Sequence, residues 1–258
     1  MILRTLFAVW VMLTPLTAGE VRVAVASNFS GALEQLRDDF ETRSGHRLTL
    51  VTGSTGKLYA QIRHGAPYDV LLAADAARPE RLEQDGLAVD GSRFTYALGR
   101  LVLWYRSGAP TDSGTGDQQG SAWLEAGRFR KLAIAHPELA PYGRAAEETM
   151  QSLGVLESLR PRLVRGENIA QAYALVASGN AELGFVAQAQ LGQGDGGLGR
   201  SGAGGTRWPV PAALHQPIRQ DAVLLKRATD AEAAAAFLVF LRSEEARSRI
   251  AALGYDLP

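Results

Sequence analysis

Cysteine is absent from the 258 residues, which removes thiol nucleophiles, thiolate metal sites and disulfides together. That absence names no compartment, because proteins of oxidising compartments also do without cysteine. Net charge is missing too, since 27 Lys and Arg balance 27 Asp and Glu. With no basic surplus and few basic clusters, the composition argues against nucleic acid as a partner. Histidine is scarce, and His46, His64, His136 and His215 are scattered without metal-ligand spacing. Neither a Gly-x-Ser-x-Gly elbow nor a His-Glu-x-x-His helix occurs. His136 falls at a strand end, where a ligand, a base or a structural role is open to it. Asp69 and Asp75 flank an apolar run and read as capping, solvated carboxylates. Nothing in this inventory calls for catalysis, and no catalytic residue is assigned.

Long apolar runs are lacking with one exception. "MILRTLFAVWVMLTPLTAGEV" opens with Arg4, runs apolar from Leu6 to Leu13, then passes Pro15 into Thr17, Ala18 and Gly19. That is the layout of a secretory signal peptide over residues 1–19, cleaved after Ala18 or Gly19, and it is short for a membrane span. An uncleaved anchor is the alternative. The mature protein is expected to be exported, and without cysteine it has no lipid attachment point.

What is present is alternation. "VRVAVAS" is a buried strand delivering Ser27 and Asn28 to its C-terminal end. "FSGALEQLRDDFETRSG" places Leu33, Leu36 and Phe40 on one helical face and stops at Gly45. Strand "HRLTLVTGS", helix "TGKLYAQIRHG", strand "YDVLLAAD" and helix "ARPERLEQDGL" follow. Such alternation predicts a parallel sheet with crossover helices, whose ligands sit at the carboxyl ends of the strands. A second αβ region follows "GRLVLWYR", with strand–loop–helix junctions at Pro141-Tyr142-Gly143 and Asn168-Ile169. Two α/β lobes with facing junctions would form a cleft. "DAVLLKR" is a late strand, and two amphipathic helices from "DAEAAAAFLVFLRSEEARSRIAALG" pack back on the body. "SGAPTDSGTGDQQGS" and the glycine-dense stretch 192–205 are surface loops.

One stretch, "VTGSTGKLY", imitates a phosphate loop. A P-loop needs Gly four residues before its Gly-Lys and Ser or Thr after the Lys. Val51 and Leu58 stand at those positions, so a nucleotide loop is excluded. Thr52, Ser54 and Thr55 still precede a helix on which Leu58 and Ile62 share a face. Taken alone, Ser54 or Thr55 is a helix cap. A second strand end bearing Ser27 and Asn28 shifts the balance toward anion binding at helix N-termini.

The blocks "VAVASNFSGALEQL", "GSTGKLYAQIRHGAPYDVLLAAD", "AHPELAPYG" and "GENIAQAYALVASGNAELGFVAQAQ" together resemble the periplasmic molybdate-binding proteins of ABC transport systems. The resemblance runs in order from Val21 to the C-terminus. It implies an α/β, two-lobe type II periplasmic-binding-protein fold, each lobe a mostly parallel sheet flanked by helices, with the ligand cleft between lobes. Lobe one is then residues 20–98 plus 214–258 and lobe two residues 99–213. Transferred residue by residue, the molybdate site comprises Ser27 and Asn28, Thr55 with Ser54 beside it, Tyr142, and the backbone N–H of Ile169. Some members place a tyrosine on the strand after "LGFV"; Ala187 stands there, so the chain resembles the branch that uses Tyr142. Lys57 is expected to be solvated, with no Lys or Arg on the ligand. The resemblance further implies periplasmic location, a membrane permease as partner, a monomer, and no cofactor beyond molybdate or tungstate. A sulfate or thiosulfate binder and a secreted enzyme on the same scaffold are the alternatives.

Overall fold

A computed structural model describes residues 18–106, 119–191 and 204–258. Most of the expected signal peptide, and residues 107–118 and 192–203 of the two expected loops, lie outside the described residues.

The first sheet starts with β1 (Glu20–Ala26), whose burial alternates at its start and becomes continuous as it enters the core. Helix α1 (Ser30–Ser44) returns the chain, burying Ala32, Leu33, Leu36 and Phe40 on one face, and ends where Gly45 adopts φ 72°. Only glycine adopts that left-handed conformation at little cost. Then come β2 (Arg47–Gly53), α2 (Thr55–Arg63), β3 (Val70–Leu72), α3 (Ala77–Gln84) and β4 (Phe94–Gly99). The chain leaves for a second sheet after Gly99 and returns as β10 (Ile218–Leu224), giving the order β2-β1-β3-β10-β4. Helices α9 (Ala231–Leu241) and α10 (Glu244–Ala252) pack on this first sheet through Phe237, Leu238, Leu241 and Ile250.

The second sheet contains β5 (Leu101–Tyr105), β6 (Leu132–Ala135), β7 (Leu163–Gly166), β8 (Leu183–Ala187) and β9 (Thr206–Pro209) in the order β7-β6-β8-β5-β9. Its helices are α4 (Gln119–Ala126), α5 (Pro141–Ser152), α6 (Leu156–Leu159), α7 (Ile169–Ala177) and α8 (Gln188–Leu191). The expectation of mostly parallel sheets holds in strand direction, with four of the five strands of each sheet pointing one way and a single strand reversed. β1 pairs in parallel with β2 and β3, and β6 with β7 and β8, but β10 and β5 run antiparallel to both their neighbours. Both sheets are therefore mixed. The cause is the two crossings between lobes: a strand arriving from the other lobe enters from the opposite end. The stretch beginning Gln119-Gly120-Ser121, expected to be loop, opens α4 instead.

One of the two carboxylates flanking β3 departs from expectation. Asp69 is fully buried, not solvated, accepting from the Arg22 and Thr229 backbone N–H groups and the Thr229 hydroxyl. Asp75 does cap, receiving the Arg78 N–H at 3.0 Å at the start of α3. Among the described residues no helix is long and apolar enough to cross a membrane.

Candidate functional site

Register fixes the site. Parallel pairing sets Ala26 opposite Gly53 and Val25 opposite Leu72. β1, β2 and β3 thus end level, and Ser27-Asn28, Ser54-Thr55 and Ala73-Ala74 leave the sheet side by side. In the second sheet Ala135 lies opposite Gly166. The loop leading to Tyr142 and the turn leading to Ile169 are neighbours for the same reason. Ala26 and Ala74 of the first lobe share one apolar cluster with Tyr142 and Ile169 of the second. The two sets of strand ends therefore face each other across a narrow cleft. Ser27, Asn28, Ser54, Thr55, Tyr142 and Ile169 are all buried there.

The start of α2 departs from an ordinary cap. Ser54 occupies the N-cap position in extended conformation, yet its side chain makes no capping hydrogen bond. Its Oγ is buried and finds no partner among the described residues. Thr55 does not cap either: its Oγ1 accepts the Ala74 N–H at 3.0 Å, which leaves the hydroxyl proton available. The first backbone N–H groups of a helix have no intrahelical acceptor. Of those in α2, the Gly56 N–H crosses the cleft to the Leu139 carbonyl at 2.8 Å. On the other wall Asn168 caps α7, its Oδ1 accepting the Gln171 N–H. Ile169 opens that helix, so its own N–H is one of the groups the helix cannot satisfy.

Tyr142 spans the lobes. Carried on the first turn of α5, its hydroxyl reaches Gln220 of β10, whose Nε2 donates to it at 3.4 Å. Gln220 Oε1 in turn accepts from Asn28 Nδ2 at 2.7 Å and from the Tyr96 hydroxyl at 3.1 Å. The Tyr255 hydroxyl donates to the Asn28 carbonyl at 2.6 Å. Glycine at position 99 makes room for this arrangement: a Cβ there would lie 2.2 Å from the Tyr142 hydroxyl oxygen. Burial pushes the Tyr142, Tyr96 and Tyr255 phenols above their ordinary value, with mutual repulsion of the charged forms second for Tyr142 and Tyr96. All three remain neutral O–H groups at physiological pH.

Nearby cations are already engaged. Lys57 is not simply solvated as expected; its Nζ pairs with Glu167 of the other lobe at 3.0 Å, half-exposed. Arg78 pairs with Asp75 and donates to the Glu138 carbonyl across the cleft at 2.7 Å. Ala187 ends β8 fully buried, its N–H donating to Gln190 Oε1 at 2.9 Å, and Gln190 Nε2 reaches the Ile169 carbonyl at 3.3 Å. His136 follows β6 with Nδ1 buried and unpartnered among the described residues. No group of three or more potential metal ligands occurs among the described residues. The site is a concave set of hydroxyl, amide and helix-start N–H groups with no carboxylate assigned to it, suited to a ligand that only accepts hydrogen bonds.

Sequence reasoning missed Gln220, Tyr96 and Tyr255, which brace Asn28 and Tyr142. A signal existed for Gln220: "IRQDAVLL" sets three polar residues in a row at the start of a strand, and while Arg219 is exposed, Gln220 and Asp221 are both fully buried. Asp221 is answered by Arg93 at 2.9 Å and Thr95 at 2.7 Å, leaving Gln220 to the cleft.

Comparison with known proteins agrees with this architecture. Residues 21–256 match the family of bacterial extracellular solute-binding proteins. The molybdate-binding protein ModA of Azotobacter vinelandii is 47% identical over 240 residues, covering 93% of this chain and 91% of that protein. Its Rhodobacter capsulatus counterpart is 45% identical over 241 residues, covering 93% and 90%. Among solved structures, the Azotobacter vinelandii periplasmic molybdate-binding protein superposes with a TM-score of 0.84 at 40% identity, over 92% of this chain and 99% of that one. The chain belongs to the bacterial extracellular solute-binding proteins, and within them to the ModA family.

Proposed function

We propose that this chain captures molybdate, and tungstate with it, outside the cytoplasmic membrane and delivers it to the permease of an ABC transporter. The observation that supports this reading best is Ser54 Oγ, a buried hydroxyl at a helix start with no partner among the described residues. An unmet buried polar group costs about 1–3 kcal/mol. A site built to be completed by its ligand has this form. Ser27, Asn28, Ser54, Thr55, Tyr142 and the Ile169 N–H are the donors we assign to the oxyanion. Each is neutral, so each costs little to desolvate, while several aimed at one point stabilise a dianion.

On this reading the chain acts by binding and release, without a catalytic step or a cofactor, as a periplasmic monomer exported by its N-terminal segment. Close similarity to two ModA proteins over nine-tenths of the chain supports the choice of molybdate. Fluorescence titration of the mature protein tests it. Trp104, Trp123 and Trp208 are buried on β5, α4 and β9 of the second lobe, so they report on that lobe as it meets the ligand. A saturable shift with molybdate is expected; no shift and no displacement of a competing oxyanion would overturn the reading.

A further inference from the structure

The first turns of α2 and α3 reach across to the second lobe, and two of their contacts end on consecutive carbonyls of one loop. The Gly56 N–H meets the Leu139 carbonyl at 2.8 Å, and Arg78 Nη2 donates to the Glu138 carbonyl at 2.7 Å. Lys57 pairs with Glu167 beside them at 3.0 Å. We propose that Arg78 is a latch: a positioning residue that touches no ligand, holds the lobes shut and so sets how long a bound oxyanion stays. For its ligand, the inference rests on the oxyanion reading of the site.

Arg78 is fixed on its own lobe before it reaches the other. Asp75 Oδ1 accepts its backbone N–H at 3.0 Å, and Asp75 Oδ2 accepts from Nη1, so the guanidinium is tethered at the start of α3. The two side chains are only 17% and 13% exposed, which limits the competition from water that weakens surface pairs. With Nη1 committed to Asp75, the planar fork turns Nη2 toward the Glu138 carbonyl. The guanidinium also lies against the start of α2, 3.2 Å from where a Cβ on Gly56 would stand. The receiving loop is itself held, since the His136 carbonyl accepts the Leu139 and Ala140 N–H groups at 3.1 and 2.8 Å. Ala140 leads directly into α5, whose second residue is Tyr142. Arg78 therefore grips the loop that carries a ligand donor, while its charge is answered by Asp75 and not by the anion.

Arg78→Lys isolates the latch. Lysine keeps the positive charge and a partner for Asp75, so long-range attraction of the anion and the tie within the first lobe are retained. Its single terminal nitrogen and shorter reach cannot also span to Glu138. Stopped-flow fluorescence gives association and release rates for molybdate and tungstate with the wild-type protein and the variant, and thermal melts report folding. Release should quicken by about tenfold, the low end for a hydrogen bond from a charged group, with association little changed. Because a latch acts on closure alone, the factor should be the same for both anions. Release at the wild-type rate, or unequal factors for the two anions, would overturn the inference.

A second measurement needs no ligand. The chain has no cysteine, so one cysteine introduced on each lobe carries a spin-label pair that reports closure directly. Ligand-free Arg78→Lys should show a longer interlobe distance than the same labelled protein with Arg78 intact. An unchanged distance would contradict the latch. If the wild-type protein binds neither anion, the oxyanion reading fails, and the ligand-free distance still decides whether Arg78 holds the lobes together.

Discussion

The backbone N–H of Gly56 and the carbonyl of Leu139, from opposite lobes, meet at 2.8 Å across the cleft. This contact belongs to a closed arrangement of the lobes, and it lies beside the donors without being one of the side chains assigned to the ligand. A Cβ on Gly56 would sit 3.0 Å from the Leu139 oxygen and 3.1 Å from its Cα, both backbone atoms that yield little.

Gly56→Ala should therefore hold the lobes slightly apart. We expect molybdate affinity to fall by about tenfold, near 1.4 kcal/mol, mostly through faster release, since ligand favours the closed state only by its differential affinity. Stopped-flow fluorescence separates the two rates. Unchanged release would show that the Gly56–Leu139 contact has no part in closure. The half-exposed Lys57–Glu167 pair adds less, at most about 1 kcal/mol, and less again in high salt.

Ser54 separates a capping role from a binding role. Loss of an N-cap hydroxyl ordinarily costs about 1 kcal/mol of stability. Here the hydroxyl makes no capping bond, so Ser54→Ala should leave the melting temperature of the free protein unchanged or slightly raised. Molybdate binding should weaken by about 1.5–3 kcal/mol, the usual worth of a hydrogen bond to a charged group. Thr55→Val should behave differently, destabilising the free protein because the buried Ala74 N–H loses its acceptor. A stability loss in Ser54→Ala with intact binding would return that residue to plain capping.

For Tyr142 the expectation is a loss of about 1.5–3 kcal/mol in molybdate binding on Tyr142→Phe, measured by calorimetry. Ala187→Ser, on the strand end where other members keep a tyrosine, should change affinity little. Equal binding by Tyr142→Phe and wild type would remove Tyr142 from the donor set.

Alkaline pH offers a test that needs no ligand. Tyr96, Tyr142 and Tyr255 all have phenols raised above the ordinary value of 10.0 by burial. The folded state thus keeps protons that the unfolded chain gives up above that value. Their stabilising contribution is complete below pH 10 and declines as pH rises beyond it, by about 1.4 kcal/mol per pH unit for each phenol. Urea midpoints should be insensitive to these groups below pH 9 and drop steeply above pH 10, with a shallower drop in Tyr96→Phe. An identical alkaline slope in that variant would contradict the burial of Tyr96.

The sequence revealed the strand ends more readily than what braces them. Ser27-Asn28 and Ser54-Thr55 were legible because each closes an apolar run and opens a helical period, so local pattern places them at the carboxyl edge of a sheet. Tyr142 and Ile169 came through resemblance, since a tyrosine after proline has many uses. β4 ("FTYALG") and β9 ("TRWP") were missed, since neither is a continuous apolar run and the second ends in proline. Gln220 was missed because its partners lie 192, 124 and 78 residues away in sequence, and no local period encodes such contacts. Lys57 and Asp69 were misjudged for the same reason: Glu167 and Thr229 reach them only through the fold.

The most direct test of the central claim is calorimetric titration of the mature protein with molybdate, tungstate, sulfate and phosphate at pH 7. A site lined by donors, with no carboxylate to receive a proton, should bind molybdate and tungstate at one site per chain and phosphate weakly or undetectably. The penalty against phosphate is the unmet proton, about 1–3 kcal/mol. Phosphate binding as tightly as molybdate, or displacing it at comparable concentration, would contradict the account and require an acceptor in the cleft.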